Sequence, residues 1–149
     1  MNVLLDTSVL VRLANTGDKQ YATADAAVRK LVSQGHVLHI TPQAVIEFRA
    51  VATRPVFANG LGLTPALCDQ KIAVFETGYR LLDDLPLNYP TWTMIVQVLG
   101  VVGKTVHDAR LVAVCHVHSV THVLTFNLSQ YRTLATAPPG VVILDPATV

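Results

Sequence analysis

Charge is scarce in this chain of 149 residues: only 14% are Asp, Glu, Lys or Arg, and the formal net charge is +1. With 51% hydrophobic residues, the chain buries enough apolar surface to offset the entropy of ordering, which excludes a disordered protein. The near-neutral balance gives no global basic footprint, so a nucleic-acid partner has to be held by a local cluster or through metal ions. Cysteine is almost missing as well. Cys68 and Cys115 lie in helix-like apolar stretches and give neither a disulfide framework nor metal-finger spacing, a pattern that suits a reducing cytoplasm. Long hydrophobic runs are absent: the longest, Trp92 to Val102, is interrupted by Thr93, Gln97 and Gly100 and is too short to cross a bilayer. The first residues, Met1 to Asp6, lack a basic segment and meet an acid at once, unlike a signal peptide. A cytoplasmic location is therefore expected, and no membrane partner.

What the chain does have is alternation. Short apolar segments at Val3–Leu5, Val37–Ile40, Thr121–Thr125 and Val141–Leu144 read as buried strands, and helical patterns separate them. Helices are expected over Ser8–Asn15, over about Thr23–Gln34 with Gly35 as a stop, over Leu128–Leu134, and over Thr91–Val102 and Thr105–His118. Thr41-Pro42 and Thr64-Pro65 each supply an N-cap followed by a proline at the first helical position. The first opens a helix ending near Arg54, the second a long one running toward Leu82, with Glu76 and Arg80 as an i,i+4 pair. Leu85-Pro86-Leu87 reads as a short extended piece. Strands this short and apolar, separated by helices, point to an α/β fold: a Rossmann-like parallel sheet flanked by helices on both faces. No repeat, low-complexity tract or linker interrupts residues 1–149, which read as one domain.

Most acids have dull explanations, such as Asp25 four residues before Arg29, or Asp69 and Glu76 on a wet helix side. Three do not. Asp108 stands three, four and seven residues before Leu111, Val112 and Cys115, on the apolar side of its helix. Thr105 and Asp108 also fit a capping box, which would occupy the acid with its own helix start. Asp6 ends the first strand at its carboxyl end, where parallel sheets place ligands, although it also fits an N-cap. Glu47 shares a helix side with Ala44 and Val51, which a buried salt bridge would explain. Helices that follow parallel strands begin at one edge of the sheet, so the three carboxylates can converge there. They would then repel one another unless a cation neutralised them. With oxygen ligands and no cysteine or obvious histidine ligand, magnesium or manganese suits such a site. Metals held this way orient and activate water for phosphoryl chemistry.

Asn127 follows the fourth strand and could reach the same edge, offering a carbonyl oxygen without charge, or could simply shape a turn. Ser8 and Thr125 are candidates to hydrogen-bond a carboxylate or a water from behind. The histidines follow no zinc spacing, and His107, beside Asp108, would point elsewhere on the helix. Arg12, Arg49, Arg54, Lys104 and Arg110 are near the acids in sequence and could meet phosphates, though a solvated base is the default for each.

Val3-Leu4-Leu5-Asp6-Thr7-Ser8-Val9-Leu10, Thr41-Pro42-Gln43 leading to Glu47-Phe48, His107-Asp108-Ala109-Arg110-Leu111-Val112-Ala113 and Leu124-Thr125-Phe126-Asn127 together resemble the PIN-domain family. The ordered set is closest to its stand-alone bacterial members, the VapC-type toxins of toxin–antitoxin pairs, and spans nearly the whole chain. The resemblance implies a magnesium- or manganese-dependent endoribonuclease acting on RNA. Asp6, Glu47 and Asp108 would hold the metal and Asn127 would assist. It also implies a homodimer and a small antitoxin partner. The fourth position is often an aspartate in that family; Asn127 carries no charge and favours one well-held metal over two. Two rivals stand beside this reading: a phosphatase using Asp6 as nucleophile, disfavoured by Ser8 where a second aspartate is needed, and a catalytically degenerate module that binds RNA or protein.

Overall fold

The structure, a computed structural model, describes all residues from 1 to 149. It starts with β1 (Asn2–Leu5), whose four residues alternate in direction as a strand must. Val3 and Leu5 enter one apolar core and Leu4 enters a second one. On the first face lie α1 (Thr7–Ala14), α2 (Tyr21–Ser33), α3 (Pro42–Thr53) and α4 (Pro65–Gly78). The opposite face is covered by α5 (Asn88–Leu99), α6 (Thr105–Val117) and α7 (Leu128–Leu134). Between the two layers runs a five-stranded, all-parallel sheet completed by β2 (Val37–Ile40), β3 (Arg80–Leu81), β4 (His122–Leu124) and β5 (Val142–Leu144), in the order β3-β2-β1-β4-β5. The expected α/β architecture, with helices on both faces, is what the chain adopts.

Local signals explain most boundaries. Thr41 and Thr64 accept hydrogen bonds from the backbone of Ala44 and Leu67, and a proline follows each at the first turn. Gly35, at φ 78°, stops the chain just past α2 in a conformation that a side chain would strain. α5 starts at Asn88, three residues before the expected Thr91. Pro90 is tolerated because the first turn needs no N–H partner.

The third strand departs from expectation. It is Arg80–Leu81 and not Leu85–Leu87, and α4 ends at Gly78 instead of continuing toward Leu82. Tyr79 turns extended (φ −126°, ψ 151°), which removes the i,i+4 geometry that would have paired Glu76 with Arg80. The cause is tertiary: the open edge of β2 offers backbone partners, His39 opposite Arg80 and Ile40 opposite Leu81, and Leu82 N–H continues to the Ile40 carbonyl at 2.9 Å.

The turn after α3 brings backbone against backbone. A Cβ at Gly60 would stand 1.9 Å from the Arg54 carbonyl oxygen, whereas one at Gly78 would meet nothing within 4 Å. Gly60→Ala is expected to cost about 2 kcal/mol and lower the melting temperature by roughly 4–8 °C, with Gly78→Ala neutral or slightly stabilising. Thermal melts followed by circular dichroism check this; equal melting of the two variants would refute the close-approach account.

Candidate active site

The strand order sends the chain outward from β1 through β2 to β3 and then back across to β4 and β5. The direction therefore reverses between β1 and β4, and open parallel sheets bind ligands outside the carboxyl ends of the strands at such a point. Asp6 follows β1 there, its N–H donating to the Leu124 carbonyl at 3.1 Å, and Thr125 follows β4.

Asp6 is 2% exposed and its carboxylate is accordingly met by donors on both oxygens. Oδ2 accepts from the Ser8 hydroxyl at 2.6 Å, the Thr125 hydroxyl at 2.8 Å and the Ser8 N–H at 3.3 Å, the last being the helix cap of α1. Oδ1 accepts from the Tyr131 hydroxyl at 3.2 Å. The two small hydroxyls in turn accept backbone N–H groups, Ser8 from Phe126 at 3.1 Å and Thr125 from Asn127 at 2.9 Å. Ser8 and Thr125 thus hydrogen-bond a carboxylate from behind and tie down the loop that carries Asn127. Burial and the Asp6 charge push the Tyr131 phenol well above its ordinary range, so it remains a donor. Sequence reasoning missed Tyr131; its place four residues after Asn127, on the same helix face, was the available signal.

Glu47 is half-buried on α3 and makes no salt bridge. Neutral donors replace the expected cation: Thr7 Oγ1 donates to Oε2 and Gln43 Nε2 to Oε1, each at 2.8 Å. Neither Thr7 nor Gln43 was singled out from sequence.

Asp108 sits in the first turn of α6, half-buried, but the capping box is not made. Thr105 already lies inside the helix, the cap position falls to Lys104 in a helical conformation, and no side chain caps the start. No hydrogen bond helps to hold the Asp108 charge. Burial first, then the negative charges of Asp6 and Glu47, push its carboxyl up to about 6, against a smaller opposing pull from His107 and Lys104.

Asp6, Glu47, Asp108 and Asn127 all line one open cleft of about 660 Å³. Asn127 stands at the cap position of α7 without a side-chain cap bond, so its amide is not consumed by the turn. The same cleft is lined by Arg12, Lys104 and His107. Arg12 is preset: it donates to the Ser8 carbonyl and to Gln20, both at 3.1 Å, and lies over the Phe126 ring at 5.2 Å. The other three bases are engaged elsewhere, Arg49 with Asp69, Arg54 with the Asn59 carbonyl and Arg110 with Asp84. The acids share the cleft without closing on one point, since no three Asp, Glu, His or Cys side chains form a group able to enclose an ion. The cleft nonetheless offers oxygen donors of a kind that suits a hard divalent cation, and a mutual repulsion that one would relieve.

An α/β fold with an acidic cleft at the reversal point of its parallel sheet defines the class. Residues 3–134 match the PIN domain family, and the chain belongs to that family. Solved structures with the same fold include VapBC2 from Rickettsia felis bound to a DNA fragment from their promoter, at a TM-score of 0.72 and 12% identity over 97% of this chain and 98% of that one. Another is Mycobacterium tuberculosis VapC20, described as a sarcin-ricin loop cleaving toxin, at 0.62 and 18% identity over 86% and 92%. FitAcB from Neisseria gonorrhoeae aligns at 0.65 and 14% identity over 99% of both chains. No curated protein matches the chain significantly in sequence.

The raised Asp108 carboxyl has a consequence for stability. A folded-state value above that of the unfolded chain means that its contribution is fully present below about 3.8 and is lost as pH rises through about 6. Asp108→Asn removes that loss. Without added metal, the variant should melt above the wild type at pH 8, by about 1 kcal/mol or roughly 2–4 °C after allowing for solvent screening of a half-buried group. The gap should close by pH 4. A gap independent of pH in melting curves would contradict the assignment.

Proposed function

We propose that this PIN-domain protein is a divalent-metal-dependent endoribonuclease, the toxin of a toxin–antitoxin pair. The observation that carries the reading is the set of three carboxylates from three separate elements lining one cleft, with Asp108 pushed up by burial and then by the charges of the other two. Asp6, Glu47 and Asp108 would hold Mg²⁺ or Mn²⁺, which when bound polarises a phosphodiester and activates the attacking water. Asp6 contributes an oxygen whose direction is fixed by the Ser8, Thr125 and Tyr131 hydroxyls. Glu47 is held by Thr7 and Gln43. Asp108, with no internal hydrogen bond, is the carboxylate freest to meet a ligand. Asn127 adds a neutral amide oxygen, so the donor set favours one cation over two. Arg12 and Lys104 are the cations placed to meet RNA phosphates along the cleft.

The described activity of VapC20 as a sarcin-ricin loop cleaving toxin supports an RNA substrate, and the VapBC2 complex supports a partner of the antitoxin kind. Exposed apolar side chains, Leu67 and Val74 on α4, Met94 and Val98 on α5 and Phe57 in the turn after α3, offer surface for that partner and for a second copy in a homodimer. No helix is long and apolar enough to cross a membrane. The phosphatase alternative fares worse, because Ser8, which donates to Asp6, stands where such an enzyme needs a second aspartate.

Asp108→Asn should abolish Mg²⁺-dependent RNA cleavage while leaving the circular dichroism spectrum unchanged. Asp6→Asn should abolish it too, but with a lowered melting temperature, because an amide nitrogen cannot accept from the hydroxyls that hold Asp6. Manganese at a hundred times its dissociation constant should stabilise the wild type by ~2.7 kcal/mol, or roughly 5–10 °C, and Asp108→Asn by much less. Unchanged cleavage in either variant, or no melting shift with manganese, would sink the enzyme reading and leave a binding module.

A further inference from the structure

Gln43 sits one helical turn before Glu47 on α3, and its amide has only one possible orientation. Arg110 Nη1 approaches one end at 3.1 Å, and a guanidinium can only donate, so that end is the carbonyl oxygen. The NH₂ end therefore faces two acceptors, Glu47 Oε1 at 2.8 Å and the backbone carbonyl of His107 at 2.9 Å. Arg110 is itself anchored, its Nη2 lying 2.8 Å from Asp84 Oδ1. The chain Asp84–Arg110–Gln43 thus ends on one candidate ligand, Glu47, and on the residue preceding another, Asp108. It crosses from α3 on one face of the sheet to α6 on the other, and its two ends, Glu47 and His107, line the cleft.

The geometry points to Gln43, oriented by Arg110, as a positioning residue that fixes the Glu47 carboxylate and the α3-to-α6 spacing for the cation. The inference rests on the metal-dependent reading above. The half-exposed Arg110–Asp84 pair is worth little as a salt bridge. Its effect is to hold the guanidinium where it dictates which way the Gln43 amide points. Thr7 secures only Oε2 of Glu47, so without Gln43 the other oxygen has no internal donor and the two helices lose their polar tie.

Manganese binding to the whole protein, followed by electron paramagnetic resonance or calorimetry with the metal alone, tests this. Gln43→Met keeps length and helix preference but removes both amide functions. It should weaken Mn²⁺ binding by about ten- to a hundred-fold, the usual cost of losing a residue that orients a ligand. It should also lower kcat without raising the KM for RNA, and lower the metal-free melting temperature by only a few degrees, the cost of the lost hydrogen bonds. Arg110→Met should weaken binding by a smaller factor and have no further effect in a Gln43→Met background. Wild-type-like Mn²⁺ affinity in Gln43→Met overturns the positioning role while leaving the metal reading intact, and fully additive losses overturn the role of Arg110. A wild type that binds no Mn²⁺ overturns the metal reading and this inference with it.

Discussion

A carboxylate without water has to be met by donors, and Asp6 is met by four. Two come from Ser8, in the first turn of α1, one from Thr125 just past β4 and one from Tyr131 on α7. Each is placed by an element whose own position depends on the sheet. The carboxylate draws the carboxyl ends of β1 and β4 together where the chain reverses, and through Ser8 and Thr125 it fixes the backbone of Phe126 and Asn127. The cleft takes its shape from this arrangement. Glu47 on α3 and Asp108 on α6 line its other walls.

The three acids divide two opposing tasks. Asp6 is fully bonded and buried, so it serves the fold whatever else it does. Asp108 is half-buried, unbonded and within reach of the Asp6 and Glu47 charges, so it carries the electrostatic cost of the arrangement. Glu47 lies between, with each oxygen held by one neutral donor. A cleft built this way is preorganised on one side and repulsive on the other, the condition under which a cation contributes most.

Much of the fold was legible because its signals are local. Val3–Leu5, Val37–Ile40 and the apolar residues around Val123 and Ile143 are too short and too apolar for anything but strands in a covered sheet, and the Thr-Pro pairs mark helix starts without ambiguity. β3 left no such trace: its two residues are exposed, and they form a strand only because the edge of β2 is there to pair with. The placement of Asp6, Glu47, Asp108 and Asn127 on one cleft followed from strand ends and helix starts. The groups that hold them did not, because Tyr131 meets Asp6 across 125 positions and Thr7 meets Glu47 across 40, and no periodicity spans such distances. The capping box misled for the opposite reason. Its local pattern was sound, but Thr105 lies inside the helix and the cap position falls to Lys104, which has no side-chain cap bond.

The distance in sequence between Asp6 and its donors bears on how the protein is made. Synthesis is vectorial, and the first strand leaves the ribosome long before Thr125 and Tyr131 exist. Until they arrive, Asp6 has only Ser8 for company, β1 has one neighbour instead of two, and the wall bearing Asn127 has not been built. The cleft is therefore complete only when α7 has been added.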